Sequence, residues 1–270
     1  MTYIYIVLIS ALVLFVLYIL STRCSKGKPQ LRQFRNWAYA HRGLHNMTRP
    51  ENSLSAFRAA AAKGYGIELD VHLLKDGQLA VIHDSALSRT TGAQGRIEDL
   101  ESHDLWHYRL EGSYENIPTL QEVLSLVDSR VPLIIELKVA GVNYAPLCEA
   151  VCNQMEGYPG LYCIQSFDPR VVRWFRKNRP DVIRGQLTQN FFKSKSVPFI
   201  LRPLLTGQIL NFLTRPDYVA YEFHHRKRLS NTLIKKLWGV ARFCWVVTSR
   251  EEYQTARREG WICIFEGFEP

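Results

Sequence analysis

Residues 3–20, YIYIVLISALVLFVLYIL, form an unbroken apolar run in which Ser10 is the one plainly polar side chain. No face of a helix over this run is polar, and at 1.5 Å per residue it reaches roughly 27 Å, near the thickness of a bilayer core. From residue 37 the pattern changes to short β-rich runs that alternate with helical stretches. The runs are Trp37–His41, Ile67–Val71, Leu79–His83, Leu133–Leu137, Leu161–Gln165, Val182–Arg184, Tyr218–Tyr221, Phe243–Val247 and Trp261–Phe265. Between them lie helical segments at 52–64, 119–129, 145–155, 168–178, 231–239 and 250–260. The first of these carries a capping residue, apolar positions at helical spacing and a closing glycine. Repeated strand–helix alternation predicts a parallel sheet with helical crossovers. About eight units in a body of this size predict an α/β fold of the (β/α)8 TIM-barrel type, preceded by one transmembrane helix. A doubly wound open sheet is the competitor, but no GxGxxG or Walker sequence follows the first strand. Nine strand candidates stand for eight places, so one is spurious or an added edge.

The flanks of the apolar run set a topology. No Lys or Arg precedes it, and STRC follows it, so the charged start and small-residue cleavage site of a signal peptide are missing. The expectation is a retained anchor over 1–21, a basic juxtamembrane linker over 22–36 and a catalytic-size domain over 37–270. Arg23, Lys26, Lys28, Arg32 and Arg35 follow the span at once, and no acidic residue occurs before Glu51. The positive-inside rule then predicts a single-pass membrane protein with its C-terminal body in the cytoplasm. The linker is expected to lie against anionic headgroups of membrane lipid. The net charge of +9 adds only that a partner is anionic. Nucleic acid is disfavoured, because the charge gathers beside the anchor and at 190–228 without the aromatic motifs of a known reader. Six cysteines, at 24, 148, 152, 163, 244 and 263, show no metal-knuckle spacing and read as buried thiols.

Chemistry enters at the C-terminal ends of the strands, which form one rim in a barrel. The first candidate ends in His41-Arg42 and the third in His83-Asp84. The second carries Glu68 and Asp70 and the fourth leads through Glu136 to Lys138. Period-two spacing puts Glu68 and Asp70 on one face, and Glu136 and Lys138 likewise. Ionised carboxylates on the inner face of apolar strands are costly unless paired or metal-bound. Three from two strands, without soft ligands nearby, suit a hard divalent metal ion, Mg2+ or Ca2+. A salt-bridge network closing the barrel is the alternative for any one of them. Four successive strands delivering ionisable groups to one rim favour a site.

AHRG (40–43), PENS (50–53), IELDVHLLKDGQLAVIHD (67–84), the LSRTTG that follows and IELK (135–138) resemble the glycerophosphodiester phosphodiesterases. The resemblance is strong over 38 to about 170 and looser beyond. It implies a metal-dependent barrel hydrolase that turns glycerophosphodiesters into glycerol 3-phosphate and an alcohol. It further implies catalytic roles for His41 and His83, metal ligation by Glu68, Asp70 and Glu136, and phosphate contacts from Arg42 and Lys138. Glu51 matches a glutamate at the margin of the metal site, and Phe167 of Ser166-Phe167 an aromatic bordering the substrate cleft. By the same analogy the glycerol 2-hydroxyl attacks phosphorus first, and water opens the cyclic product.

Departures from the family pattern lie at the end. Trp245 is followed by Val246 and Val247 in place of Trp-Thr, and IFEGFEP sets Glu266 where an aspartate is usual. His45 and His72 are minor candidates near the site; His103, His107, His224 and His225 read as surface residues. The connection 190–215 is long, basic and rich in Phe and Leu, which admits either packed barrel helices or an element dipping into the membrane. The substrate is expected to be a soluble glycerophosphodiester or a lysophospholipid, the latter making the reaction that of a lysophospholipase D. A catalytically silent barrel that binds lipid headgroups or a membrane partner is the rival from another class. The intact triad and the two histidines argue against it.

Overall fold

The computed structural model describes residues 2–195 and 197–270. Met1 of the anchor and Ser196 of the 190–215 connection lie outside the described residues. The strands are β1 (Tyr39–His41), β2 (Gly66–Leu73), β3 (Leu79–Val81), β4 (Leu133–Leu137), β5 (Tyr162–Ser166), β6 (Arg184–Thr188), β7 (Tyr218–Glu222), β8 (Ala241–Val247) and β9 (Ile262–Phe265). Eight of them pair in parallel in the order β1-β2-β4-β5-β6-β7-β8-β9, and β9 returns to β1, so the sheet closes as a (β/α)8 barrel.

The ninth strand is the added edge. β3 runs antiparallel to the end of β2, with Val71 opposite Val81 and Leu73 opposite Leu79. It is therefore not a barrel stave, and the expectation of four successive barrel strands at one rim is corrected to three staves and a hairpin. The hairpin starts a small lobe with its own core, including Leu74, Ile82, Leu87, Ile97, Leu105 and Ile117. His83 and Asp84 belong to this lobe. The sixth stave is also displaced, from the expected Val182–Arg184 to Arg184–Thr188. Its outward side chains Arg184, Gln186 and Thr188 are polar yet buried, so the strand carries no apolar signature.

Two apolar layers follow from strand alternation. Ile67, Leu69, Ile135 and Ile164 face out to the helices, among them α3 (Leu54–Ala62), capped by Ser53 Oγ on the Ala56 amide. Tyr39, Ile134, Cys163, Tyr218 and Phe243 belong to a second layer at the N-terminal end of the barrel. The space there is so full that a Cβ on Gly66 would lie 2.5 Å from the Tyr39 ring, and one on Gly185 2.2 Å from Tyr218.

The segment expected to be a basic juxtamembrane linker, 22–36, holds a short helix and packs on the barrel. Its short helix α2 (Leu31–Phe34) closes the barrel floor, with Phe34 stacked 6.2 Å from Tyr39 and edge-on to Phe243 at 6.4 Å. Lys28 Nζ donates to the Val182 carbonyl and pairs with Asp217 at 3.3 Å. Apolar residues between the charges let the linker pack, which the charge run alone hides. The apolar helix α1 (Thr2–Ser21), long and apolar enough to cross a membrane, is exposed over residues 2–17 and meets the barrel only from Tyr18 on.

Asp217 ties the floor together: it accepts from Ser25 Oγ at 2.6 Å and from the Arg184 amide at 3.2 Å, and pairs with the buried Arg184 guanidinium at 3.3 Å. Asp217→Ala should cost about 3–5 kcal/mol, the scale for stranding a buried charge. Asp181→Ala, which breaks the exposed Arg179 pair, should cost less than about 1 kcal/mol. Denaturant midpoints of the two variants in detergent would check the contrast.

Candidate active site

Register assembles the charged cluster. Glu68 lies opposite His41 on one side, and Asp70 lies opposite Glu136 on the other. One carboxylate oxygen each from Glu68, Asp70 and Glu136 falls within 4.8 Å of the others, and all three residues are buried. Lys138 Nζ sits 2.6 Å from Glu136 and 3.1 Å from Asp70. Arg42, in the left-handed region at φ 55°, donates its amide to Glu68 and holds Nε 3.5 Å from Asp70. Asn52 donates to Asp70 Oδ2 at 2.9 Å, and Gln165 to Glu68 Oε1 at 3.4 Å.

Three carboxylates thus face two cations. Burial, then repulsion from Asp70 and Glu136, drives Glu68 well above the usual carboxyl range. Burial also raises Glu136, against the pull of Lys138. For Asp70 burial is outweighed by Lys138, His83 and Arg42, which hold it far below its ordinary value. A hard divalent cation fits this donor set: it would supply the missing positive charge to oxygens already gathered and oriented. Arg42 Nε and the Trp245 indole N–H are buried donors without a hydrogen-bond partner, as an anion site would need.

The two histidines stand on opposite supports. His41 Nδ1 lies 2.6 Å from Glu266 Oε2, and His83 Nδ1 lies 2.6 Å from Asp84 Oδ1. Burial lowers both imidazoles below their ordinary value, against the opposing carboxylates. The hydrogen bond from His41 holds Glu266 down to about 2. Each ring is therefore neutral near pH 7 with Nδ1–H donating to its carboxylate, which leaves Nε2 to accept a proton.

His41, Arg42, Glu68, His83, Glu136, Lys138 and Phe167 line one cavity of about 150 Å³. Asp70 lies against its lysine and arginine. Glu51 stands outside the carboxylate cluster, bonded to Arg42 at 2.9 Å and to Arg89 at 2.6 Å. Phe167 packs edge-on against Trp245, ring centroids 5.5 Å apart. Glu266, the partner of His41, itself lines a second, open groove of about 1180 Å³ together with His45, Arg49 and Arg250.

Sequence reasoning left some members without a role. Asn52 lies within PENS and Gln165 ends the run Leu161–Gln165; the parity of Gln165 with Cys163 on β5 is the signal that turns it inward. His72 was placed past the end of the second strand, but β2 runs to Leu73 and His72 is buried within it. Its Nδ1 meets Glu98 at 2.8 Å and its Nε2 meets the His83 carbonyl at 3.1 Å, so it props the backbone of a site histidine.

Known proteins resemble this chain in sequence and in fold. Residues 41–266 match the model of the glycerophosphoryl diester phosphodiesterase family. A glycerophosphodiester phosphodiesterase of Bacillus altitudinis is 38% identical over 163 residues, 56% of this chain and 66% of that protein. Glycerophosphodiester phosphodiesterase 1 of Mus musculus is 35% identical over 246 residues, 80% of this chain and 72% of that protein. Among solved structures, a phosphodiesterase of Oleispira antarctica in complex with the product sn-glycerol-3-phosphate shares the fold at TM-score 0.70 and 20% identity, covering 85% of this chain and 92% of its own. A glycerophosphodiester phosphodiesterase of Thermotoga maritima gives TM-score 0.64 at 25% identity, covering 84% and 93%. With the family model spanning both histidines, the three carboxylates and Glu266, the chain belongs to the glycerophosphoryl diester phosphodiesterase family of phosphoric diester hydrolases.

Proposed function

We propose that the chain hydrolyses glycerophosphodiesters to glycerol 3-phosphate and an alcohol in lipid metabolism, as an enzyme that uses Mg2+ or Ca2+ and is tethered by α1 with its barrel in the cytoplasm. The observation that carries this is the gathering of three buried carboxylate oxygens within 4.8 Å beside two histidines free at Nε2. Family membership supports the reaction, and the bound product of the Oleispira antarctica enzyme supports the glycerol 3-phosphate half of the substrate.

Glu68, Asp70 and Glu136 would hold the cation, which when bound supplies Lewis-acid neutralisation of the phosphodiester charge. Arg42 and Lys138 place positive charge in the same cavity and draw the phosphate toward it. One histidine takes the proton of the attacking hydroxyl at Nε2; the other, once protonated, gives its proton to the leaving alkoxide. Glu266 and Asp84 fix the two rings and stabilise the imidazolium each becomes. Phe167 and Trp245 wall the cavity with aromatic surface that excludes water. A lysophospholipid is itself a glycerophosphodiester and presents the same reacting atoms; on it the chain would act as a lysophospholipase D.

Three outcomes are expected. Excess EDTA should abolish turnover, and Glu68→Gln and Glu136→Gln should lose Mn2+ binding by titration together with activity. His41→Ala and His83→Ala should each lower kcat by about 10²-fold with melting temperature little changed; a variant that melts early yet keeps its turnover makes that histidine structural. Glu266→Gln should also lower kcat. The carboxylate favours protonated His41, so its removal drops the His41 pKa further, and the limb of kcat/KM against pH that His41 governs should move to lower pH: the acid limb if His41 is the base, the alkaline limb if it is the acid.

The tether predicts that a reporter fused after Pro270 behaves as cytoplasmic. Replacing Arg23, Lys26, Arg32 and Arg35 by Gln, with the floor residue Lys28 kept, should weaken that orientation.

A further inference from the structure

The direction in which α1 leaves the barrel is set by its last residues. Ser25 N donates to the Pro216 carbonyl at 3.0 Å and Ser25 Oγ to Asp217; both partners precede β7, so this is the floor. Thr22 Oγ1 accepts from the indole N–H of Trp238 at 3.3 Å, just before the chain enters β8. Tyr18 Oη reaches the Gly207 carbonyl at 3.5 Å. Gly207 is at the other end of the barrel. Its neighbour Thr206 accepts from Tyr221, near the end of β7, at 3.3 Å, and Leu205 accepts from Thr188, the last residue of β6, at 3.0 Å. From Ser25 back to Tyr18 the chain therefore climbs the wall from floor to catalytic rim. Residues 2–17 continue beyond the rim, every one exposed, for roughly 24 Å at 1.5 Å per residue.

Beside that exit the β6–β7 connection presents an apolar and basic surface. Phe192, Phe199 and Ile200 are 51%, 79% and 75% exposed. Lys193 and Lys195 are exposed among them, Arg202 packs over the Phe199 ring at 5.9 Å, and Arg228 lies over Phe192 at 5.7 Å. The stretch 190–215 holds no acidic residue. It is joined to the chemistry: Phe191, unlike its neighbour, is buried and packs edge-on against Phe167 of the catalytic cavity, centroids 6.0 Å apart.

From the direction of α1 and this patch we infer that the barrel docks mouth-first on an anionic phospholipid surface, with Phe192, Phe199 and Ile200 in the interface and Lys193, Lys195 and Arg202 at headgroup level. The inference rests on the catalytic reading above and adds the source of the substrate: a phosphodiester lipid resident in the same leaflet, a lysophospholipid. A helix that enters the bilayer beside the rim turns the mouth of the cavity toward the headgroups. The same orientation turns the basic segment 26–35 away from the membrane, because Lys28, Leu31 and Phe34 belong to the floor.

The test uses the full chain in vesicles of phosphatidylcholine and phosphatidylglycerol. With the half-buried Cys152 replaced by Ser, an environment-sensitive dye is placed on Phe199→Cys or, at the floor, on Arg32→Cys. Brominated lipid should quench the rim dye strongly and the floor dye little; the reverse, or equal quenching, would overturn the docking geometry whether or not the chain is active. Separately, Phe199→Ser with Ile200→Ser should cut turnover of vesicle-borne lysophosphatidylcholine at least about tenfold and leave that of water-soluble glycerophosphocholine within about twofold. Equal loss on both, or no loss on either, would overturn the membrane-resident substrate. Absence of turnover on any glycerophosphodiester by the unaltered chain sinks the catalytic reading instead, and with it the substrate claim, while the quenching result still decides the orientation.

Discussion

Charge balance inside the barrel mouth is the constraint on which the rest of the site depends. Three carboxylates project from two neighbouring apolar strands into a space with two cations, Arg42 and Lys138. At the separations seen here like charges cannot all ionise in a medium of low dielectric. The imbalance shows in the directions of the shifts: Asp70, paired with both Lys138 and Arg42 and bonded by Asn52, is held below its ordinary value, and Glu68, which has no ion pair with Lys138, is driven well above it. The same field acts on the histidines. Arg42 opposes protonation of His41, and Arg42 with Lys138 opposes that of His83. Against that field each ring has its own carboxylate partner, which favours its protonated form. Glu266 and Asp84 are as much a consequence of the crowded cluster as the cation that completes it.

A site this polar needs a rigid base, and the floor supplies it with aromatic bulk. Tyr39, Tyr218 and Phe243 fill the N-terminal half of the barrel to the point where Gly66 and Gly185 have no room for a methyl group. The Tyr218 hydroxyl donates to the Ile164 carbonyl at 3.0 Å, so the filling is satisfied as well as dense. Phe34 of α2 completes the layer from outside the barrel sequence. The residues that join α1 to the barrel are thus part of the core that holds the strand register. That arrangement fixes α1 relative to the barrel far more tightly than a solvated linker of the same length would.

Much of this was legible in the chain because it rests on short-range periodicity. β4 was read to the residue, and the parity of Glu68, Asp70 and Glu136 predicted their common face. What was hidden depends on packing between distant segments. Leu79–His83 has the composition of a stave, and only the antiparallel pairing with β2 shows that it leaves the barrel. β6 starts two residues later than expected because its own outward side chains Arg184, Gln186 and Thr188 are polar, Arg184 facing a buried Asp217, while the apolar pair Val182-Ile183 lies just before it. Glu98 gave no sign of itself, since its partner His72 is 26 positions away and joined to it only through the fold. In the linker, a run of positive charge drew attention from Leu31 and Phe34, the two side chains that decide where it goes.

The excess positive charge separates into groups with different work. Lys28 and Arg184 answer Asp217 at the floor, and Arg42 and Lys138 answer the carboxylates at the mouth; these four stabilise the barrel and do not reach a partner surface. Arg226 is absorbed by Glu259 in the same way. Lys193, Lys195 and Arg202 belong to a segment with no acid of its own to answer. Uncompensated charge beside exposed Phe199 and Ile200 is unfavourable in plain water on both counts, the apolar area and the mutual repulsion. Both costs fall at an anionic interface, where headgroups neutralise the lysines and the acyl boundary takes the rings. The patch that membrane docking would use is therefore also one whose exposed rings and unanswered charge are both relieved by it.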